Sequence, residues 1–517
     1  MKEFMDKSLL RRYQTLELIN DAPDQTLHSD LLLDKLGISV GTLYKVISSI
    51  ENDFIQYDCT DSIKLIYLES IHSYKLEIAE DFFIQFIRLF YYENSLNFKL
   101  LKGLLLNNLD DITETAQRFF ITYSSLRREL YTLKKEFEKY GLELQLKKKI
   151  HLTGNELHIR LFYAVLCLNS YGGYSWPFHS IHLHDTNEIL RHMPKEFFNS
   201  DSLDKKILVD YFTAVSLVRG RLNFPLTEEC FKTSLYHSDT PEFKKSVTDL
   251  NQIFKRLLPA TTEKKRTLEI RALISCVLAC GSYAGITHAP RFFSLDKKLQ
   301  KDQFLSPLFH IMESLKKYSL LKDSDNEYMK IFNKLATLHY RILLFNNPEL
   351  QNLPTWSQPK NEIRILSDQR VALFTKIIKK ELEHPVFNHL EEYKEYLAGQ
   401  YHEIFLYSID WLKYKPAINV LIVSKVSKDK LDFLLTTALR SLYNFQCVFE
   451  RTEDIDLVVS DTILSDNLIP ALGSEAKPVV YVNQTFTLSD YDRVGQKLAH
   501  LTWSKIEEKL KKEGLLE

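Results

Sequence analysis

Apolar positions recur at helical spacing along most of this 517-residue chain, and punctuation residues cut the pattern into elements. Leu9, Leu10, Tyr13, Leu16, Leu18 and Ile19 predict an amphipathic helix, which Asp21-Ala22-Pro23-Asp24 stops. A second helix is expected over about 30–36, with Ser29 as its N-cap and Gly37 as the left-handed residue that ends it. Ser39 caps the next helix, which carries Leu43, Ile47 and Ile50 on one face. Beyond Phe54, the run Ile63, Leu65, Ile66, Tyr67 and Leu68 reads as short strands. Helix, turn, helix, strands is the order of a winged helix-turn-helix.

The plan then repeats. Helices rich in Phe and Leu are expected around 82–92 and 98–106. Asp110-Asp111 caps a helix over 112–119, and Thr122 caps another carrying Leu126, Leu130, Leu133 and Phe137, which Gly141 ends. Residues 142–146 alternate as a strand should, Lys147-Lys148-Lys149 forms a tip, and 150–153 returns as the second arm of a hairpin wing. The two copies superpose in constant register. Leu36-Gly37-Ile38-Ser39 lies over Phe119-Phe120-Ile121-Thr122, Leu43 over Leu126, Ile47 over Leu130, Ile50 over Leu133 and Phe54 over Phe137. One such match is weak evidence; two in the same register are much stronger.

From about 156 to 395 the pattern is helix after helix, with examples over 156–168, 203–218, 269–279, 305–318, 328–345 and 369–382. It changes near Tyr414-Lys415-Pro416. Strands are expected at 418–423, 456–460 and 478–482, a helix at 430–442, and a further strand around Cys447. Such alternation means a small open α/β sheet. The expected fold class is therefore a mainly α, multidomain protein: two winged helix-turn-helix units (1–72 and 73–155), an all-α middle, and a C-terminal α/β open-sheet domain (413–517).

Composition agrees with a globular chain able to bury large cores: 45% hydrophobic, 26% charged, with only 14 Gly and 15 Pro. A net charge of −1 means that any nucleic-acid surface is local. The N-terminus lacks the apolar stretch of a secretory signal. The most apolar window, 272–280, falls short of the roughly 20 residues a bilayer needs. The six Cys form no CxxC, and Cys276 and Cys280, one helical turn apart, read as core residues before a metal pair. His179, His182 and His184 lack fixed helical spacing and an obvious fourth ligand, so no metal is expected there. The expectation is a reduced, cytoplasmic protein that does not enter a membrane and needs no cofactor.

A recognition helix presents polar side chains to base edges and basic ones to phosphates. In the second copy the residues off the apolar face are Tyr123, Ser124, Ser125, Arg127, Arg128, Tyr131, Lys134 and Lys135, with Arg118 and Thr122 just upstream. Lys147, Lys148 and Lys149 are placed to track the backbone from the wing, which implies salt-sensitive binding. The first copy is less basic. It offers Ser39, Thr42, Tyr44, Lys45 and Ser48, followed by acidic Glu51 and Asp53. The second unit is expected to carry most of the affinity and the first to add site length or register. A plain solvated amphipathic helix explains a single unit about as well; the repeat, the caps and the basic wing together favour DNA.

Leu43-Tyr44-Lys45 and Leu126-Arg127-Arg128 in tandem units, followed by Ile150-His151-Leu152-Thr153-Gly154-Asn155-Glu156-Leu157-His158-Ile159-Arg160-Leu161-Phe162, resemble the Mga/AtxA family of transcriptional regulators. The stretch from Gly154 to Phe162 is the most specific piece, and the resemblance covers the whole chain. It implies a pair of phosphotransferase-system regulation domains (156–288 and 289–412) and a C-terminal domain like a sugar-transporter IIB component. It implies DNA-binding regulators, often activators of virulence or surface genes in Gram-positive bacteria and linked to carbohydrate status. The implied partners are double-stranded promoter DNA, a second copy of the chain in a homodimer or higher homo-oligomer, and the phosphocarrier protein that phosphorylates His residues.

Two departures from the family pattern bear on that regulation. The helix around 210–219 resembles the core helix of a first regulation domain, but Phe212 stands where a His is usual seven residues before Arg219. The matching helix of the second domain keeps His339. It is the first phosphoacceptor candidate, then His288, with His192, His237 and His389 behind; an ordinary surface or core role also explains each. An active IIB unit places a Cys directly after its first strand, whereas this loop is Ser424-Lys425-Val426-Ser427. The fold is expected to be kept and the nucleophile lost. Two alternatives remain: an RNA-binding antiterminator, which would carry a small β-rich N-terminal module, and a IIB-type phosphotransfer enzyme, which the missing Cys disfavours. With no nucleophile triad or glycine-rich phosphate loop, the protein is not expected to be an enzyme.

Overall fold

The computed structural model describes residues 2–193, 203–231, 240–280, 306–318, 326–352, 368–408, 415–448, 454–464, 477–512 and 514. It is mainly helical with small sheets, and divides into two compact units, Met1–Ala284 with Tyr340–Pro354, and Gly285–His339 with Thr355–Glu517. Among the described residues no helix is long and apolar enough to cross a membrane.

The first unit opens with α1 (Lys7–Asn20), strand β1 (Thr26–His28), α2 (Ser29–Leu36) and α3 (Val40–Gln56). Strands β2 (Ile63–Leu68) and β3 (Ser73–Ile78) follow, and the antiparallel sheet order is β1-β3-β2. Strand β1, with only three residues, had no periodicity to reveal it. Gly37 ends α2 at φ 62°, and Ser39 accepts from Thr42 N–H at the start of α3, both as predicted. The cap of α2 is a correction. His28 rather than Ser29 stands outside that helix, its Nδ1 accepting from Asp30 N–H, while the Ser29 hydroxyl donates to His72 O at 2.6 Å. Tyr13, Leu16 and Ile19 of α1 are buried, as are Leu43, Ile47, Ile50 and Phe54 of α3.

Helices α4 (Gln85–Asn94) and α5 (Leu96–Leu105) lead into α6 (Ile112–Arg118), α7 (Tyr123–Lys139), and the hairpin β4 (Leu142–Gln145) and β5 (His151–Gly154). The hairpin pairs Leu142 with Gly154 and Leu144 with Leu152, one residue later at its return than the pattern indicated. Asp53, counted in sequence as part of an acidic exit from α3, is buried. It takes Arg12 Nη1 at 2.9 and 3.0 Å and the Tyr91 hydroxyl at 2.8 Å, so it joins α1, α3 and α4.

Glycine is required at 154. Its φ is 135°, and a Cβ there would lie 3.2 Å from Gly141 O. Asn155 then caps α8 (Glu156–Tyr171), and α9 (Leu183–Arg191), α10 (Leu203–Arg221), α11 (Pro241–Leu257) and α12 (Glu263–Cys280) complete this stretch. At its centre sit four buried charges from three helices. Arg160 Nε donates to Glu156 Oε1 at 3.0 Å and its Nη2 to Glu269 Oε1 at 3.0 Å and Phe224 O at 2.9 Å, with Nη1 paired to Glu269 as well. Arg219 donates to both oxygens of Glu156 at 2.9 and 2.6 Å and lies over the Phe224 ring. Burial alone would pull the Arg160 pKa down; Glu269 and Glu156 outweigh it and hold it above its ordinary value.

Helices α13 (Ser306–Lys317), α14 (Asn326–Phe345), α15 (Pro348–Asn352), α16 (Asp368–Leu382) and α17 (Lys394–Ser408) follow, α15 belonging to the first unit. The chain ends in β6 (Ile418–Val423), α18 (Lys428–Leu439), β7 (Phe445–Val448), β8 (Leu457–Ser460), β9 (Val479–Tyr481) and α19 (Leu488–Lys512). The sheet is parallel, in the order β7-β6-β8-β9. Ile418, Val420, Ile422, Leu457 and Val459 form its core with Leu431, Leu435, Val494 and Leu498 of the two helices.

Removing one partner of a buried ion pair leaves a desolvated charge, which costs about 3–5 kcal/mol. Glu269→Ala is therefore expected to lower the unfolding free energy of the first unit by an amount in that range, taken from urea titrations read by intrinsic fluorescence. An exposed control, Glu114→Ala, should shift it by less than about 0.5 kcal/mol.

Candidate nucleic-acid interface

Helices α6 and α7 meet through Phe119-Phe120-Ile121-Thr122. Asp111 starts α6, one carboxylate oxygen accepting from Thr113 N–H at 2.7 Å and Glu114 N–H at 2.9 Å. Thr122 starts α7, its hydroxyl oxygen accepting from Ser125 N–H at 3.2 Å and lying 2.9 Å from Ser125 Oγ and 3.1 Å from Ser124 Oγ. Leu126, Leu130, Leu133 and Phe137 point into the core, which fixes the opposite face outward.

That outward face holds Tyr123, Ser124, Arg127, Arg128, Tyr131 and Lys135 as exposed residues, with Thr122 exposed at its start and Ser125 and Lys134 partly covered. The Arg127 guanidinium lies 5.6 Å from the Tyr131 ring centroid, which orients it without covering it. Arg128 is also exposed, its Nε 3.4 Å from Glu129 Oε1. Arg118 is exposed but engaged, donating to Asn108 O at 2.9 Å and standing 3.7 Å from Asp110. At the hairpin tip Lys147, Lys148 and Lys149 are all exposed. Lys149 N–H donates to Lys147 O, Lys148 sits at φ 62°, and Lys149 Nζ donates to Asn107 O at 2.8 Å. Lys147 and Lys148 are thus the outward cations of the tip, and Lys149 anchors it to the loop before α6.

The first copy has the same skeleton with other chemistry. Ser39, Tyr44, Lys45 and Ser48 are exposed and Thr42 is partly covered, its Oγ1 2.9 Å from Ser39 Oγ. Val40 is also exposed, a residue that the sequence reading passed over. The turn shows the sharpest contrast. Gly37 adopts φ 62°, and the superposed Phe120 adopts φ 53° while 96% exposed. An aromatic side chain in the left-handed region is strained, and the register of the repeat, which sets Phe120 on Gly37, already held that signal.

The phosphorylation candidates fall in different settings. His339 is buried, with Tyr401 Oη 2.5 Å from its Nε2. Burial, with a smaller contribution from His389, pushes its pKa down to about 3, so the ring is neutral and accepts from the tyrosine hydroxyl. His389 is exposed; His192 is exposed with Nδ1 2.9 Å from Glu188 O. His288 and His237 lie outside the described residues. Phe212 is fully buried.

The loop after β6 holds an internal anion. Ser424 Oγ donates to Asp461 at 2.6 Å and Lys425 N–H donates to its other oxygen at 2.7 Å. Desolvation alone would raise the Asp461 pKa; the Ser424 hydroxyl and the backbone N–H groups together outweigh it and lower it. Cys447 lies in β7, half-buried, its thiol pKa raised by burial and by Asp432. On α9, His184, Asp185 and Glu188 come close enough to share an ion, but Asp185 accepts from His182 N–H and Glu188 is paired with Arg256.

Residues 80–167 match the Mga helix-turn-helix domain, a span from just before α4 into α8. The chain is 23% identical to the capsule synthesis positive regulator AcpB of Bacillus anthracis over 510 residues, 95% of this chain and 98% of that protein. It is 31% identical to the capsule synthesis positive regulator AcpA of the same organism over 86 residues, 17% of this chain and 18% of that one.

Two outcomes follow from these environments. Phe120→Gly should raise the thermal midpoint by a degree or two, because relief of about 1–2 kcal/mol of backbone strain exceeds glycine's entropy cost of about 0.5–1 kcal/mol. For His339 the unfolded state takes up a proton near pH 6.5 and the folded state only near 3. Its contribution to stability is complete above about pH 6.5 and is lost as the pH falls toward 3. Urea midpoints measured across that window should fall less steeply in His339→Gln than in the unmodified protein.

Proposed function

We propose that this chain, which belongs to the Mga/AtxA family of transcriptional regulators, binds double-stranded promoter DNA through two winged helix-turn-helix units of unequal strength. The exposed Arg127–Arg128 pair on α7 carries this reading. Arginine donates bidentately to guanine O6 and N7, and the lysines of the β4–β5 tip lie on the hairpin that forms the wing. The second unit supplies most of the affinity, since α7 carries five Lys and Arg against one on α3.

The remaining chain regulates and assembles. The helical stretch acts as paired regulation domains (156–288 and 289–412) that accept phosphate from the phosphocarrier protein. A phosphate adds about −1.5 to −2 charges and reshapes the helix interface around it. Of the named candidates, His192 and His389 are the exposed ones among the described residues, whereas His339 must first open. The C-terminal domain pairs two copies; exposed Phe433, Ile463 and Leu488 supply apolar surface for that contact. AcpB and AcpA are described as positive regulators of capsule synthesis, and by analogy this chain activates surface or virulence genes.

The test is a gel-shift titration of the full chain on a duplex selected from a random pool. Arg127→Ala and Arg128→Ala should each weaken binding roughly ten-fold. Lys148→Ala should weaken all duplexes alike and reduce the salt slope by about one. Unchanged binding in both arginine variants would refute the assignment.

A further inference from the structure

The exposed face of α3 differs in kind from that of α7. Val40, Tyr44 and Ser48 stand four residues apart on one stripe, and Val40 and Tyr44 are 54% and 59% exposed. Between them Gly41 has nothing within 4 Å of the place a Cβ would occupy, so the N-terminal part of α3 presents the Val40 and Tyr44 side chains on a low surface. The superposed positions in the second copy are Tyr123 and Arg127. The single cation of α3 is Lys45, and Glu51 follows two turns later. A helix of this composition cannot read guanine through a bidentate arginine. What it offers is apolar contact, and in the major groove only thymine presents an apolar group, its C5 methyl.

We infer that Val40 and Tyr44 are specificity-determining residues that contact thymine methyl groups in the major groove, making the first unit a thymine reader beside a guanine-reading second unit. The inference rests on the DNA-binding reading above and adds to it the base chemistry of the less basic unit. Burying a methyl against Val40 or Tyr44 stabilises the complex by about four-fold in Kd for each methyl fully covered. Thr42 and Ser48 are left for phosphate or mixed base edges, and Lys45 for the backbone.

The experiment uses the full chain and the selected duplex. Each thymine of the bound segment is replaced in turn by deoxyuridine, which removes only the C5 methyl, and Kd is read by fluorescence anisotropy. The same scan is run on the Val40→Ala/Tyr44→Ala variant and on Arg127→Ala. Both altered α3 positions are exposed, so the thermal midpoint should not move. The expected result is one or more thymines whose replacement weakens binding about four-fold in the unmodified protein and in Arg127→Ala, but has no further effect in the α3 variant. Loss of methyl sensitivity only when the α3 residues are removed is the signature of direct contact. If the duplex binds but no thymine is methyl-sensitive, the inference fails and the DNA-binding reading stands. Equal sensitivity in the unmodified protein and the α3 variant also overturns it. An α3 variant with full affinity and an unchanged scan assigns the apolar stripe to another partner. Failure of the unmodified chain to retain any duplex would overturn both readings.

Discussion

Arg160 has no route to solvent, and its charge is tolerated only because Glu156 and Glu269 close on it from two helices while Phe224 takes a further N–H. Arg219 shares Glu156 from a third helix. Two arginines and two glutamates leave no net charge. A buried set of this kind stabilises less than an apolar core of equal volume, but it tolerates very little displacement, because any shift strands a desolvated charge. Its consequence is positional. Helix α8 begins at Glu156, one cap residue after β5, so the hairpin that follows the basic helix enters the helical stretch through a segment whose rotation and height are fixed. Gly154 sets the sharp entry and Asn155 caps it. The run from Gly154 to Arg160 is thus a joint rather than a binding motif.

The tandem units share a skeleton and diverge in what they expose. Both second helices are capped by a hydroxyl residue and bury the same four apolar positions. The turn is built at low cost in the first copy, by glycine, and at higher cost in the second, by a phenylalanine that gains nothing from burial. Acid distribution diverges as well. Asp53 looks in sequence like a charge that would repel phosphate, yet it is spent on Arg12 and Tyr91 inside the unit. Of the acidic pair after α3's apolar face, only Glu51 remains exposed. The lower basicity of the first unit therefore comes from missing cations more than from added anions.

Most of what was legible in the sequence depends on residues close together along the chain. Ser39, Thr122 and Asp111 cap as their spacing indicates because a cap needs only the next three N–H groups. The four-residue spacing of Leu126, Leu130 and their neighbours fixes which face of α7 is outward, and with it most of the basic residues. What was not legible required distant partners. Glu269 lies 109 residues beyond Arg160, and nothing local marks it as a counterion. Ser29 fits an N-cap by type, but β3 brings His72 O within reach of its hydroxyl, and His28 takes the cap instead. The bonds of Lys149 and Arg118 to the carbonyls of Asn107 and Asn108 likewise have no sequence signature.

In the C-terminal domain a polar loop is likewise satisfied from within the fold. At the end of β6 the loop directs a backbone N–H and a serine hydroxyl at the Asp461 carboxylate, delivered from the end of the neighbouring strand β8. That carboxylate ties the loop together, and Ser424 Oγ also accepts from Ser427 N–H just before α18. Phe433, Ile463 and Leu488 of the same domain are exposed apolar residues. The tandem copies near the N-terminus show the parallel case: turn, caps and buried face are shared, and Val40 and Tyr44 stand on α3 where α7 has Tyr123 and Arg127. In both places burial fixes the skeleton, and the chemistry on offer is set where side chains meet solvent.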